Sequence, residues 1–386
     1  MIQRSDQPDP DLTSWAHTLT THILSACDPE HLTTQALTIH NTLLPNQPTH
    51  ILAFGKAALP MTRSVRAHLG TRFQRATILA PTNTPTPPDD TIQLFHVEHP
   101  TPTQANINAT NQLLHHARSI PNDHAVIVNI SGGGSAHLCL PKPPHTLDDI
   151  IRTTTELNAR GATIHELNAA RSQLEQLKSG GLGRILAHLR VHALVLSDVI
   201  GNDLRTIASG PLIADDLDIP HTIVGSNTNA IDALTEALGA TIIHTERDVV
   251  GDARDRAEAL ARQVRSARVG EAVVMGGETT VDARSASGTG GPVCECVVAA
   301  SLVLARESGF RWRAIGIATD GVDGPGGACA GVLDDSIMRA DGAMDRAAHA
   351  LDAHDTLGFL NTVGAAIMTG PTGTNVNDVI ALVRTG

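Results

Sequence analysis

Short apolar segments that end abruptly at polar loops recur along this 386-residue chain. These segments span residues 51–54, 125–130, 193–197, 272–275 and 315–318, with a further candidate at 365–368. Each is followed at once by Gly, Ser, Thr or Asp. Continuous apolar runs of this length are typical of strands buried on both faces of a parallel sheet, and such sheets bind ligands beyond the carboxyl ends of their strands. The sequence therefore predicts an α/β protein with a ligand site at one sheet edge.

Length and composition favour two globular domains and argue against some partners. A chain of 386 residues exceeds one ordinary core, and 41% hydrophobic with 18% charged residues is usual for a globular protein. The net charge of −12 and the lack of a Lys/Arg-rich run argue against nucleic acid as a partner. No apolar run reaches the roughly 18 residues of a membrane span, and the N-terminus is polar, so we expect a cytoplasmic protein without membrane contact.

The five cysteines and twenty histidines do not form a recognisable metal-site or disulfide pattern. Only Cys294 and Cys296 lie close together, in a C-E-C arrangement, and H-E-x-x-H is absent. We therefore expect reduced thiols and no zinc site.

A glycine-rich segment follows the second apolar run and reads Ser131, Gly132, Gly133, Gly134, Ser135. Glycines allow the backbone to approach phosphate oxygens, and consecutive N–H groups can form an anion-binding nest. The segment is not a P-loop. It also departs from G-x-G-x-x-G and from G-x-S-x-G, because His137 stands where both need glycine. A tight turn without a ligand is the alternative interpretation.

Two carboxylates, Asp198 and Asp320, follow other apolar runs. A carboxylate at such a position can hold Mg²⁺ or accept a proton from a substrate hydroxyl, and capping of the next turn is the alternative. Together with the glycine-rich segment and Lys56, they provide what phosphoryl transfer needs: a cationic clamp, a metal ligand and a carboxylate that orients the acceptor.

A series of motifs over about residues 50–380 resembles one family, the class II glycerate 2-kinases, long named hydroxypyruvate reductases, whose C-terminal part is called the MOFRL domain. The matching motifs are Gly55–Ala58, His99–Pro100, Ser131–Ser135, Glu166–Asn168 with Arg171, Lys178–Gly181, Leu196–Asp203 with Ile207–Pro211, Gly276–Thr280, Thr319–Gly324 and Thr369–Asp378.

The resemblance implies a fold of two α/β domains with mostly parallel sheets. These are a Rossmann-like N-terminal domain over residues 1–250 and a smaller MOFRL-type domain over residues 251–386, with the site in the cleft between them. It implies an enzyme that uses ATP and Mg²⁺ to phosphorylate D-glycerate on its 2-hydroxyl, giving 2-phosphoglycerate and ADP. An NAD(P)H-dependent hydroxypyruvate reductase and a relative that binds ligand without turnover are the alternatives. The number of subunits is left open, and a homodimer is one arrangement.

The resemblance also implies roles for individual residues. Lys56, Arg171 and Asp198 match catalytic positions, with Asp198 as base or, together with Asp320, as metal ligand. The positions implied to bind substrate or phosphate are Ser131, Gly132, Gly133, Gly134, Ser135, Asn168, Lys178, Ser209, Glu278, Asn375 and Asp378.

One departure from the family pattern lies after the glycine pair at 290–291. The family continues with Arg-Asn-Gln-Glu, whereas this chain reads Pro292-Val293-Cys294-Glu295. A thiol does not replace the charge-assisted contacts of an arginine. The sequence therefore predicts the loss of one cationic clamp on a phosphate or carboxylate.

Overall fold

The computed structural model describes residues 10–40, 44–282, 288–307 and 309–386. The chain divides into two compact units. The contiguous unit is Pro29–Ser226, and the composite unit joins the residues up to Asp28 with Asn227–Gly386. This division differs from the expected boundary at 250/251. One difference from that expectation is that helix α1 (Pro10–Ala26) belongs to the composite unit. The apolar face of this helix, with Leu12, Leu19 and Ile23 buried, packs there.

The contiguous unit alternates strands and helices. Its elements are α2 (Pro29–Ile39), β1 (Thr49–Phe54), α3 (Ala58–Leu69), β2 (Phe73–Pro81), β3 (Ile92–Val97), α4 (Gln104–Ser119), β4 (Ala125–Ile130), α5 (Gly134–His137), α6 (Leu147–Ala159), α7 (Ile164–Leu174), α8 (Gly181–Leu186), β5 (Arg190–Leu196) and β6 (His221–Gly225). Short 3₁₀ helices lie at Gly70–Arg72, Ile200–Asn202 and Ile207–Ser209.

All six strands of this unit are parallel and lie in the order β3-β2-β1-β4-β5-β6. That order is the one found in Rossmann sheets, and it confirms the expected Rossmann-like domain. The central strands are mostly apolar, and every residue of β4 is buried, because helices cover both faces. The strand order reverses between β1 and β4, and ligands of such sheets bind in the crevice at this switch point.

In the described residues of the composite unit, α1 is followed by twelve later elements. They are α9 (Asn227–Ala237), β7 (Thr241–Asp252), α10 (Ala253–Val264), β8 (Glu271–Thr280), α11 (Pro292–Ala305), β9 (Trp312–Ala318), β10 (Ala330–Asp334), α12 (Asp335–Met338), α13 (Ala343–Asp352), α14 (Thr356–Thr362), β11 (Ala366–Ile367) and β12 (Asp378–Arg384). Within the described ranges, none of the helices in either unit has the length and apolar character needed to cross a bilayer.

The sheet of the composite unit has the order β11-β10-β9-β12-β8-β7 and is mixed. Among its described strands, β7 and β8 pair in parallel and the other neighbours are antiparallel. This differs from the expected parallel arrangement, because β12 inserts between β8 and β9 and runs against both. β12 itself is strongly apolar. Its apolar residues 379–383 are all buried, since the strand is central and covered on both faces.

Candidate functional site

The loops that follow β1 and β4 interlock at the switch point of the contiguous unit. The backbone N–H of Lys56 donates to the carbonyl of Gly132 (2.8 Å), and the N–H of Ala57 donates to Ser131 Oγ (3.0 Å). A Cβ atom on Gly55 would lie 2.3 Å from Ser131 Oγ, and the φ of Gly55 is +121°, so this close approach requires glycine. The predicted anion loop, Ser131–Ser135, is therefore held against the Lys56 loop.

Asp198 lies against the same loop from the end of β5. A Cβ atom on Gly132 would approach Asp198 Oδ2 to 2.2 Å, so the carboxylate occupies the space that this glycine leaves. The residue is only partly buried. The structure thus brings together Asp198 and the glycine loop, which the sequence predicted as neighbours.

A chain of polar side chains extends from the loop to helix α7. Ser135 Oγ and Ser209 Oγ lie 3.0 Å apart, Ser209 Oγ donates to Asn168 Oδ1 (2.8 Å), and Asn168 Nδ2 donates to the carbonyl of Thr206 (3.2 Å). Ser209 has a positive φ of +62°, a strained conformation for a residue with a side chain. The structure therefore places Ser135, Asn168 and Ser209 in one network, as the sequence prediction of a shared site requires.

Lys178 contacts the glycine loop from the protein interior. Its side chain is fully buried, and Nζ donates to the carbonyl oxygens of Ser135 (2.6 Å) and Leu138 (2.7 Å). Glu175 Oε2 lies 3.8 Å from the ammonium. Burial raises the pKa of Glu175 and lowers that of Lys178, and each charge partly offsets the shift of the other. The sequence suggested Lys178 as a phosphate ligand, but its ammonium faces loop carbonyls in this structure.

Glu175 is a buried carboxylate that the sequence interpretation missed. It lies three residues before Lys178, and an i,i+3 pair of opposite charges at a helix end was the available signal. The chain has only three lysines, at positions 56, 142 and 178, and two of them, Lys56 and Lys178, lie at the candidate site.

No role at the site was predicted for two histidines near the loop. The rings of His99 and His137 meet edge to face with centroids 5.9 Å apart. Desolvation, followed by the positive charges of Lys56 and Arg171, lowers the pKa of His99. Burial, followed by His99 and more weakly by Lys56 and Lys178, lowers the pKa of His137 to about 3. Burial and nearby positive charges therefore disfavour the protonated form of both imidazoles.

The composite unit gathers carboxylates at one edge of its own sheet. Glu278 lies near the end of β8, Asp320 follows β9, and Asp378 opens β12 in register with Gly277 and Ala318. They share an edge because β12 is antiparallel, so its start lies beside the ends of β8 and β9. Burial raises the pKa of Asp378 well above its usual value, and the charges of Asp323, Asp320 and Glu278 raise it further.

The loop before β12 is braced by asparagines. Asn375 Oδ1 accepts the N–H of Asn377 (3.0 Å), and Asn377 Nδ2 donates to Glu278 Oε2 (3.4 Å). From α9, Asn227 Nδ2 donates to the carbonyls of Val376 (2.8 Å) and Asp378 (3.0 Å). The structure thus brings Glu278, Asn375 and Asp378 together. The spacing of the motifs in the sequence did not reveal this proximity.

Asp323 caps the start of α11, where the sequence departs from the family pattern. Its carboxylate accepts hydrogen bonds from the N–H groups of Gly291 (3.2 Å), Val293 (3.0 Å) and Cys294 (2.7 Å). A Cβ atom on Gly291 would lie 2.3 Å from Asp323 Oδ1. The first N–H groups of the helix are therefore satisfied internally, where an orphaned helix start could otherwise bind an anion.

The acidic edge of the composite unit does not form a closed metal cage in the described part of the chain. Across the described residues, no group of three or more His, Cys, Asp or Glu side chains is arranged to hold a metal ion. Mg²⁺, however, usually binds through one or two carboxylates together with substrate phosphates and water. Burial is the largest cause of the raised pKa of Asp378, and the charges of Asp323, Asp320 and Glu278 add to it.

Comparison with known proteins agrees with the sequence motifs. Residues 15–235 match a family described as a domain of unknown function, DUF4147, and residues 271–378 match the MOFRL family. A protein of Agrobacterium vitis, provisionally named a hydroxypyruvate reductase, is 31% identical to the chain, with 77% of the chain and 89% of the relative aligned. The chain belongs to the DUF4147–MOFRL family.

Members of the DUF4147–MOFRL family include named kinases. The D-glycerate 2-kinase of Thermotoga maritima is 28% identical over 376 residues, which cover 86% of this chain and 89% of that protein. A crystal structure of a Thermotoga maritima glycerate kinase superimposes with a TM-score of 0.86 at 26% identity, covering 97% of this chain and all of that one. The resemblance to class II glycerate 2-kinases is therefore confirmed.

Proposed function

We propose that this protein is an ATP-dependent kinase that phosphorylates D-glycerate on its 2-hydroxyl, giving 2-phosphoglycerate and ADP. The observation that carries the proposal is the glycine loop at the switch point, flanked by Lys56 and by the carboxylate of Asp198. The names of the similar Thermotoga maritima proteins support the choice of reaction. Nothing in the loop after β1 resembles the dinucleotide fingerprint that a reductase of this fold would use.

In this proposal the contiguous unit binds and orients the reacting groups. Lys56 and Arg171 supply positive charge where the phosphoryl oxygens gain negative charge, and loop N–H groups add fixed dipoles. Asp198 orients the acceptor hydroxyl and takes its proton, which needs little basicity in a loose transition state. Ser135, Ser209 and Asn168 offer polar contacts to the acceptor. Lys178 acts as a positioning residue, because its ammonium fixes the loop carbonyls.

The acidic edge of the composite unit is the proposed place for Mg²⁺ and polar contacts to ATP or substrate. Asp320 is the favoured carboxylate ligand and Asp198 the rival one, while Glu278, Asn375 and Asp378 are proposed polar contacts. Bound Mg²⁺ would neutralise charge on the phosphate oxygens. A cytoplasmic location and a homodimer are proposed as well, and cell fractionation and light scattering would check them.

The decisive assay incubates purified protein with ATP, Mg²⁺ and D-glycerate and identifies the product by ³¹P NMR. We expect 2-phosphoglycerate together with ADP. Release of 3-phosphoglycerate would refute the position of transfer, and oxidation of NADPH with hydroxypyruvate, without ADP release, would support the reductase instead. An absence of both activities would favour a relative that only binds ligand.

Lys56→Ala tests the proposed clamp with a matched control. We expect a large loss of kcat/KM with little change in unfolding, because a loop lysine contributes little packing. Lys142 is exposed, and Lys142→Ala should leave activity unchanged. Equal kcat/KM for Lys56→Ala and the parent protein would refute the role given to Lys56.

A further inference from the structure

The polar side chains beside the glycine loop form a hydrogen-bond chain with a fixed direction. At its far end, the side-chain amide of Asn168 lies 3.2 Å from the carbonyl oxygen of Thr206. A carbonyl oxygen only accepts, so the amide atom that faces it is Nδ2 and the other amide atom is Oδ1. This Oδ1 also only accepts, and it lies 2.8 Å from Ser209 Oγ. Ser209 therefore gives its hydroxyl proton to Asn168.

The hydroxyl proton of Ser135 is committed in turn. Ser135 Oγ and Ser209 Oγ lie 3.0 Å apart, and each hydroxyl has one proton to donate. Because the proton of Ser209 points to Asn168, the hydrogen bond between the two serines uses the proton of Ser135. Ser209 is buried, whereas Ser135 is partly exposed. The chain therefore ends at an accessible oxygen that offers lone pairs to a further partner.

The backbone around Ser209 holds this arrangement in place. Ala208, Ser209 and Gly210 have consecutive positive φ values of +51°, +62° and +58°. The N–H groups of Ser179 and Gly180 donate to the carbonyls of Ser209 (3.0 Å) and Gly210 (2.8 Å). Residues with side chains keep such a conformation only where their surroundings impose it, and these positions cluster at functional sites. The loop thus fixes the hydroxyl of Ser209 for its role in the chain.

An oxygen that only accepts favours one kind of ligand group. It disfavours a carboxylate oxygen, which is itself an acceptor, and it favours a hydroxyl group. A second acceptor, the Asp198 carboxylate, lies against Gly132 in the same loop, and the backbone of Lys56 is hydrogen-bonded to that glycine. Two acceptors and a cation at one loop match an acid that carries two hydroxyl groups.

We propose that Ser135 determines the specificity for the acceptor, by accepting a hydrogen bond from a hydroxyl group that is not phosphorylated. The inference rests on the proposed function and deepens it. In D-glycerate this group is the 3-hydroxyl, while the 2-hydroxyl meets Asp198. The site therefore prefers 2,3-dihydroxy acids to 2-hydroxy acids that lack the second hydroxyl, because the latter leave Ser135 without its donor.

Binding of three matched acids to the parent protein tests the preference. Calorimetry compares D-glycerate with D-lactate, which lacks the 3-hydroxyl, and with the analogue that carries fluorine in its place. Fluorine is close to a hydroxyl group in size but cannot donate a hydrogen bond. We expect both analogues to bind roughly 3- to 30-fold more weakly than D-glycerate. Equal Kd values for the three acids, or a fluorine analogue that binds as tightly as D-glycerate, would overturn the inference.

Variants of Ser135 separate a lost acceptor from a disturbed loop. Ser135→Ala should bring the Kd of D-glycerate close to that of D-lactate, whereas Ser135→Thr keeps the hydroxyl and should keep the preference. Ser119→Ala is the control, because Ser119 is exposed at the end of α4 and its Oγ donates to the carbonyl of His116 (2.8 Å). It should leave all three Kd values unchanged. Equal weakening of all three acids by Ser135→Ala would overturn the inference.

Ser209→Ala tests the direction of the chain. It removes the group that accepts the proton of Ser135, which can then turn this proton toward other partners. The preference for D-glycerate over D-lactate should therefore fall. An unchanged preference would contradict the direction assigned to the chain and overturn the inference.

An assay of phosphoryl transfer separates the inference from the proposed function. Phosphorylation of D-glycerate together with equal Kd values for the three acids would overturn the inference alone. Binding with the expected preference but without transfer from ATP would overturn the proposed function alone. A protein that neither binds nor phosphorylates D-glycerate would overturn both.

Discussion

The carboxylate of Asp198 lies so close to the backbone of Gly132 that a Cβ atom on the glycine would approach Oδ2 to 2.2 Å. Gly132 does not have a positive φ, so alanine fits its backbone. A methyl group at position 132 would therefore conflict with the Asp198 carboxylate and not with the backbone of Gly132. We expect substitutions at these two positions to be energetically coupled.

Gly132→Ala should impair catalysis more than stability. The new methyl group displaces the Asp198 carboxylate, which is partly exposed. We expect kcat to fall at least 10-fold and Tm to change little. If the loss acts through Asp198, the double variant Gly132→Ala/Asp198→Asn should be no slower than Asp198→Asn alone. Additive losses would contradict this coupling.

Asp198→Asn keeps the shape of the side chain and removes its charge. We expect kcat to fall by ~10²–10⁴, the usual scale for a general base, with nucleotide affinity nearly unchanged. Rates and nucleotide Kd are measured at several Mg²⁺ concentrations. If the variant mainly weakens Mg²⁺·ATP binding and saturating metal restores the rate, Asp198 is a metal ligand and Asp320 becomes the better candidate for the base.

Activity should depend on Mg²⁺ or Mn²⁺ and not on zinc. Oxygen ligands dominate the proposed site, and these hard cations prefer oxygen. Asp320→Asn should raise the Mg²⁺ concentration needed for half-maximal rate, whereas Asp341→Asn, at an exposed position, should not. Full activity after exhaustive EDTA treatment would rule out the metal requirement.

Lys178→Met should be among the most destabilising single changes in the contiguous unit. It leaves the Glu175 carboxylate and two loop carbonyls without their buried cation. Removal of one partner of a buried ion pair typically costs about 3–5 kcal/mol. Urea unfolding measures the loss. Glu175→Gln is the matched variant. It should cost much less, because the ammonium keeps both carbonyl contacts and burial already disfavours the Glu175 charge.

A chain of histidines should make the protein sensitive to acid. Thr77 Oγ1 contacts His116 Nδ1 (2.8 Å), His116 Nε2 contacts His50 Nδ1 (2.9 Å), and His50 Nε2 contacts His124 Nδ1 (3.1 Å). Burial is the largest cause that lowers the pKa of His50 to about 4 and that of His116 to about 3, and the nearby charge of Arg75 adds to both shifts.

The sign of this effect follows from the lowered pKa values. Between pH 6.5 and about 4 the unfolded chain binds more protons at these positions than the folded one. The stabilisation is therefore complete above pH 6.5 and is lost as the pH falls through this range. Urea unfolding at pH 7.5, 6.0 and 5.0 measures the loss. His116→Gln should flatten the pH dependence, and His115→Gln, at an exposed position on the same helix, should not. Parallel pH profiles for parent and His116→Gln would refute the assignment.

The sequence predicted the contiguous unit more fully than the composite one. Apolar runs such as those of β1, β4 and β5 report burial on both faces, and in an all-parallel sheet this also identifies the edge where the following residues meet. That reasoning brought Lys56, the glycine loop and Asp198 together correctly. The same kind of run in β12 does not reveal that the strand is antiparallel, because burial carries no information on direction.

Sequence patterns also did not identify the partners of buried charges. Lys178 reads as a cation after a helix, and only the packed structure shows that its ammonium is buried against loop carbonyls. His137 reads as a defect in two glycine motifs, whereas its environment is set by β1 and by the loop that carries His99. Such roles depend on tertiary contacts between residues that are distant in the chain.

The central position of β12 has a consequence for synthesis on the ribosome. The contiguous unit is built from one stretch of chain and can form once Ser226 has emerged, in keeping with the tendency of domains to fold as units during translation. In the composite unit, β8 and β9 are separated by a gap that only residues 378–384 fill. Until those residues leave the exit tunnel, both strands expose unpaired backbone edges, and such edges promote aggregation. A premature stop shortly before Asp378 would therefore leave the middle of this sheet open.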